Sequence, residues 1–168
     1  MRYIILFIIV FSAIIIANAQ EKKYVIDEKS AKTMLIGSCS KEDFTQDSLF
    51  NWWFYSEYGE YEPNDSVMNL IKLDSIKIVC VMGTWCSDSR REVPRFIKIL
   101  DLLNYDLNNL EIYCVDRKKK AEGYDIDQFV IERVPTFILY KNNSEIGRII
   151  ETPEETLEKD LLKIILNN

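Results

Sequence analysis

Apolar and polar positions recur along this chain on two different periods, and the places where one gives way to the other mark out its elements. From Ile76 to Met82 the run is nearly unbroken and rich in β-branched side chains, which predicts a central strand buried on both faces. Over Ser87 to Leu103 the apolar residues Val93, Phe96, Ile97, Leu100 and Leu103 return at helical spacing, so a helix with one buried face is expected there. Pro94 falls inside that helix, where it removes a hydrogen bond and bends the axis. Leu110 to Val115 predicts a further strand, and a short helix is expected around Tyr124 to Phe129. Phe137–Tyr140 and Glu145–Ile150 predict an antiparallel hairpin turning at Asn142-Asn143. Thr152-Pro153-Glu154-Glu155 has the form of a capping box with proline at the first helical position, ahead of a last helix whose Leu157, Leu161, Ile164 and Ile165 face inward.

Before Ile76 the pattern is less regular. Lys41 to Tyr55 is helix-like and crowded with Phe44, Leu49, Phe50, Trp52, Trp53 and Phe54, and Tyr58, Tyr61, Pro63 and Asn64 are expected to break it. Asp65-Ser66 can cap a short helix running to Leu73. Residues 20–65 thus predict an extension that packs on a core formed by residues 66–168, its aromatics serving as a brace on that core or as a platform for peptides. Residues 1–19 have the form of a signal peptide. A positive start at Arg2 precedes the apolar run Ile4 to Ile16, and Ala17-Asn18-Ala19 is a small-residue cleavage site. That run is short against the roughly 20 residues of a membrane crossing, so export to the periplasm or the extracellular space is expected, with no stable membrane insertion after cleavage. No cysteine stands at the cleavage point to take a lipid anchor.

Charge and composition narrow the chemistry. A net charge of −6 over 168 residues, with one short basic run at Arg117 to Lys120, argues against nucleic acid as a partner, because phosphate neutralisation needs a basic face. Asp116 to Lys120 is expected to be a solvated loop after a strand. The absence of histidine excludes Ser-His-Asp and Cys-His catalysis and removes the commonest zinc ligand. The four cysteines, Cys39, Cys80, Cys86 and Cys114, show no ligand spacing, so no metal and no cofactor is indicated.

One segment carries reactive chemistry. Trp85-Cys86-Ser87-Asp88-Ser89 directly follows the strand ending at Met82 and opens the helix after it. Unpaired N–H groups and the positive dipole end at a helix start favour a thiolate, which makes Cys86 the candidate nucleophile. Ser89, Arg90 and Arg91 add to that effect and Asp88 opposes it. Trp85 before the cysteine, Pro94 eight residues after it, and Val134-Pro135-Thr136 ahead of the run Phe137-Ile138-Leu139-Tyr140 together resemble the thioredoxin family over about residues 66 to 168.

The resemblance implies a thioredoxin-like fold, a three-layer α/β/α sandwich around a central mixed sheet. It also implies a cis Val134–Pro135 bond abutting Cys86, with Trp85, Val134 and Pro135 lining a groove where an extended substrate adds a strand. Core packing is the other reading of Trp85. Two positions depart from the family pattern. Where a second cysteine usually stands, three residues after the first, this chain has Ser89, either a spacer or a hydrogen-bond partner of the Cys86 sulfur. Where a buried acid usually serves that second cysteine, it has Cys80.

Cys80 and Cys114 lie within predicted strands and are expected to be core residues. Cys39 follows Gly37-Ser38 in a polar segment that reads as exposed, which makes it the candidate internal resolving thiol. The function these features predict is thiol–disulfide exchange through one cysteine, by reduction or isomerisation. Its partners would be a substrate protein or a small-molecule thiol or disulfide, and an external thiol donor would release the adduct. The alternative is a non-catalytic module that binds extended peptides. A peroxide-reducing thiol ranks below both, because those relatives of the fold carry threonine where this chain has Gly83.

Overall fold

The structure is a computed structural model that describes residues 22–168; the expected signal peptide at residues 1–19 lies outside the described residues. Six strands form one mixed sheet in the order β1-β2-β4-β3-β5-β6. They are β1 (Lys23–Ile26), β2 (Thr33–Cys39), β3 (Ile76–Met82), β4 (Leu110–Cys114), β5 (Thr136–Lys141) and β6 (Ser144–Ile150). β3 and β4 run parallel and every other neighbouring pair is antiparallel. The helices are α1 (Lys41–Thr45), α2 (Asn51–Glu60), α3 (Asp65–Met68), α4 (Ser87–Leu102) and α5 (Leu157–Leu166). A β3-α4-β4 crossover followed by β5-β6-α5 makes the thioredoxin-like α/β arrangement that the sequence predicts.

The region before Ile76 differs from expectation. The described part of the expected extension, residues 22–65, does more than pack on the core, because β1 and β2 extend the central sheet itself, β2 pairing with β4 from Gly37↔Cys114 to Cys39↔Ile112. The single helix expected over Lys41 to Tyr55 is two. Asp47 accepts the Leu49 N–H on its side chain and the Phe50 and Asn51 N–H groups on its carbonyl, which turns the chain between α1 and α2. The second of these helices runs past Tyr58 to Glu60. Asn64 caps α3 by accepting the Ser66 and Val67 N–H groups. α5 starts later than the Thr152 pattern predicts. Thr156 caps it, and Asp160 of its first turn reaches back to accept the Glu154 and Glu155 N–H groups.

The two faces of the sheet are covered unequally. One face packs α2, α4 and α5 over Leu35, Ile78, Cys80, Ile112, Phe137 and Leu139. Phe44, Trp53 and Phe54 interlock there, Phe96 of α4 stacks on Phe137 with ring centroids 4.2 Å apart, and Arg95 of α4 grips Glu57 of α2 with Nε and Nη2 at 2.9 and 2.6 Å. Most of the aromatics of residues 44–54 are therefore brace and core, while Trp52 stays exposed. The other face carries Val79, Val81, Val115 and Ile138, and its cover includes Ile126 and Phe129 from a 3₁₀ turn at Ile126–Phe129, where a short helix was expected. Val130 ends that turn at φ 50, a left-handed conformation that a β-branched residue rarely adopts and that stops further winding.

Candidate active site

Parallel pairing of β3 and β4 brings their carboxyl ends to the same end of the sheet, and the site is built there. β3 hands the chain through Gly83, Thr84 and Trp85 to Cys86, which is the N-cap of α4 at φ −89 and ψ 130. Its N–H donates to the Gly83 carbonyl at 2.9 Å, and its own carbonyl accepts the Arg90 N–H at 3.1 Å, so the first turn of α4 starts at the thiol. The sulfur is therefore beside the turn whose amides lack helical partners.

The Val134–Pro135 peptide bond is cis, and the Cys86 Sγ donates to the Val134 carbonyl at 3.3 Å. Thr136 Oγ1 closes this loop by donating to the Arg133 carbonyl at 2.7 Å. Val134 and Pro135 are buried, and Trp85 and Cys86 are half-buried. Ser89 is fully buried, and its Oγ accepts the Gly83 N–H at 3.2 Å, so its hydroxyl braces the loop ahead of the cysteine. Asp88, expected to oppose the thiolate, is tied to Arg91 at 2.9 Å, and Arg91 also bonds the buried carboxylate of Glu92 at 2.6 Å.

Trp85 is fixed from several sides. Its Nε1 donates to the Val115 carbonyl at 2.8 Å, and its ring crosses so close to Gly83 that a Cβ there would fall 2.6 Å from the indole. A rigid ring cannot yield to such a contact, which accounts for glycine at a position next to the site. Thr84 Oγ1 accepts the Leu35 N–H at 3.0 Å, joining the loop to β2.

The Arg117 guanidinium lies on the Trp85 ring, 4.5 Å from its centroid. Its Nε and Nη2 each donate at 2.7 Å to one oxygen of Asp27, a carboxylate only 2% exposed in the β1–β2 turn. The hydrogen bonds from Arg117 and then from Ser30 hold the Asp27 carboxyl well below the usual carboxylate range. Neither residue was among the candidates read from sequence. The run Asp116 to Lys120 reads as a solvated loop, and the one signal in it that marks Arg117 is its place just after β4, at the same end of the sheet as Cys86.

The remaining cysteines are all buried, and Cys39 corrects an expectation. It is a strand residue, 8% exposed, whose Sγ lies 3.5 Å from the Gly37 carbonyl. It packs in the cluster on the helical face, whereas Cys86 packs against the cluster on the other face. Cys39 is thus buried in a strand where the sequence suggests an exposed loop, and the two thiols pack in different clusters. Burial pushes the Cys80 thiol well above its ordinary range and does the same to Cys114, which has Cys39 and Cys80 beside it.

A cavity of about 1010 Å³ lies at the far end of β3, lined by Ile76 and Tyr105, away from Cys86. Among the described residues, no group of three histidine, cysteine or acidic side chains is placed to hold a metal ion, and no helix is long and apolar enough to cross a membrane.

No family model and no curated protein matches the sequence. Among solved structures, the chain is similar to a Pseudomonas aeruginosa protein of unknown function, at 13% identity and a TM-score of 0.58 over 77% of this chain and 92% of that one. It also aligns with thioredoxin from Fasciola hepatica, at 18% identity and a TM-score of 0.39 over 52% of this chain and 79% of the other. For mitochondrial thioredoxin 3 of Saccharomyces cerevisiae the values are 20%, 0.37, 64% and 98%. The first of these likenesses concerns the fold alone.

Proposed function

We propose that the protein is an exported thiol–disulfide exchange protein working through the single cysteine Cys86. The observation that carries this reading is the placing of that thiol. It is half-buried at the start of α4, 3.3 Å from the carbonyl that precedes Pro135, while the other three cysteines are buried. Export rests on the signal-peptide form of residues 1–19.

In the first step the Cys86 thiolate attacks one sulfur of a substrate disulfide. A bond forms between the two sulfurs, the substrate S–S bond breaks, and the second substrate sulfur leaves as a thiolate that takes a proton from solvent. When Cys86 loses its own proton, the Val134 carbonyl loses its donor, and it becomes an acceptor for the N–H of an extended substrate. Ser89 carries no thiol, so the second step uses an external thiolate. That thiolate attacks the substrate sulfur, takes it into a new disulfide and returns Cys86 as thiolate. A thiol within the substrate gives isomerisation by the same exchange, and two small thiols give net reduction, their electrons ending on the substrate sulfurs.

The test is trapping. Protein incubated with a disulfide substrate and no free thiol should accumulate a mixed disulfide at Cys86, seen on non-reducing gels and by mass mapping, and added small thiol should discharge it. Cys39→Ser should trap to the same extent as wild type. No adduct at Cys86, with extended peptides still binding beside Pro135, would replace the exchange reading with that of a peptide-binding module.

A further inference from the structure

We propose that Arg117 is a specificity-determining residue for Cys86, a fixed cation that favours disulfides carrying a carboxylate close to the reacting sulfur. The proposal takes its substrate class from the exchange reading. Its geometric basis is separate.

A surface arginine ordinarily sweeps a wide volume and favours no particular ligand position, because its side chain carries roughly 2 kcal/mol of rotamer freedom. Here that freedom is removed. Two donors are engaged by the two oxygens of Asp27, and the guanidinium face rests on Trp85. The anchors are held in turn. Asp27 also accepts the Lys29 N–H at 3.3 Å and the Ser30 N–H at 3.2 Å, and Trp85 is pinned to the Val115 carbonyl. Asp27 sits behind the guanidinium, whereas the Arg117 side chain is 34% exposed and its Nη1 has no partner among the described residues. An arginine gripped along one edge presents its remaining donors outward, an arrangement suited to a carboxylate.

Arg117 is also within electrostatic reach of the thiol. It is held above its ordinary pKa first by the hydrogen bond to Asp27, and the Cys86 sulfur is among the smaller contributions in the same direction. Of the other arginines near the thiol, Arg91 is engaged by Asp88 and Glu92 and Arg133 by Glu151, while the Arg90 side chain has no acid partner among the described residues and lacks the double anchoring that fixes Arg117. A carboxylate one or two bonds from the attacked sulfur would be drawn to Nη1 as the sulfur approached Cys86. A neutral or cationic disulfide would gain nothing there.

Iodoacetate and iodoacetamide provide the test. Both alkylate the same thiolate, so the ratio of their rates at Cys86 cancels the fraction ionised and reads charge preference alone. Wild type should favour the anion relative to a free cysteine model. Arg117→Gln should lower the ratio about fivefold, the effect of one unit charge at contact distance in water. Arg117→Lys should keep part of the preference, and Lys118→Gln, which removes a neighbouring charge of the same loop, should leave the ratio unchanged. Because Arg117→Gln strands the Asp27 carboxylate, the double variant Asp27→Asn/Arg117→Gln is run beside it and should show the same loss.

The same variants are then challenged with dithiodiglycolate and with bis(2-hydroxyethyl) disulfide, and wild type should form its mixed disulfide faster with the former. A ratio that Arg117→Gln and the double variant leave untouched overturns the proposal, whatever the disulfides do. A ratio that falls as expected, with no adduct from either disulfide, sinks the exchange reading and leaves Arg117 as the anion-selecting group.

Discussion

The two faces of the sheet put cysteine to opposite uses. Under the helices lie Cys39, Cys80 and Cys114, sealed among aromatic rings, and burial raises the Cys80 and Cys114 thiols until they act as small apolar side chains. Against the thinner face packs Cys86, covered in part by a 3₁₀ turn and a proline loop, with a helix start on one side and an arginine on another. The residue type is the same, and what differs is the depth and polarity of what covers it. Reactivity here belongs to the covering layer as much as to the sulfur.

The sharpest test of that contrast is chemical. Brief alkylation of the native protein should label Cys86 at least about a thousandfold faster than the other three, since those exchange with reagent only through opening of the packed face. Peptide mapping by mass spectrometry reads the ratio, and labelling of Cys39 at a rate near that of Cys86 would dissolve the distinction. A second test compares stability between faces. Phe96→Ala empties a site that is 1% exposed and stacked on Phe137, and should cost about 3–5 kcal/mol in urea unfolding. Phe129→Ala, at 9% exposure under the thin cover, should cost less, and an equal loss would mean that the two faces are equally packed.

The smallest expected effect concerns pH. The folded-state carboxyl of Asp27 is depressed, so its contribution is present above the ordinary aspartate value of about 4 and is lost as pH falls below it. The difference in Tm between wild type and Asp27→Asn should be steady from about pH 7 to pH 5 and narrow below about pH 4. A gap that persists undiminished at about pH 3 would show that the ion pair with Arg117 adds nothing to the thin face.

What the sequence makes legible is what short range determines. Ile76–Met82 is the strand it predicts, the helix after Cys86 ends within a residue of expectation, and the hairpin turns at Asn142-Asn143, both at positive φ. Cys86 could be singled out because strand, cysteine and helix start are contiguous. Cys39 was misjudged because Gly37-Ser38 has the composition of a loop, although Gly37 pairs with Cys114 inside the sheet. Asp27 and Arg117 stand 90 residues apart, and no periodicity links them. Only the register that adds β1 and β2 to the sheet brings them together. The late start of α5 has a similar cause. Thr152 satisfies the capping pattern, but the Asp160 carboxylate is engaged by the Glu154 and Glu155 amides, and that fold of the chain delays the helix to Leu157.

The hydrogen bond from the Leu35 amide to Thr84 Oγ1 gives this architecture a built-in reporter. At that point of β2 the acceptor is a side chain from the loop that carries Trp85 and Cys86, in place of a neighbouring strand's carbonyl. The exchange of that one amide with solvent deuterium is therefore governed by motion of the loop, while its neighbours Met34 and Ile36, which pair with β1, follow the opening of the sheet edge. Occupation of the site by a substrate or an adduct would be read from an amide in the interior of a neighbouring strand.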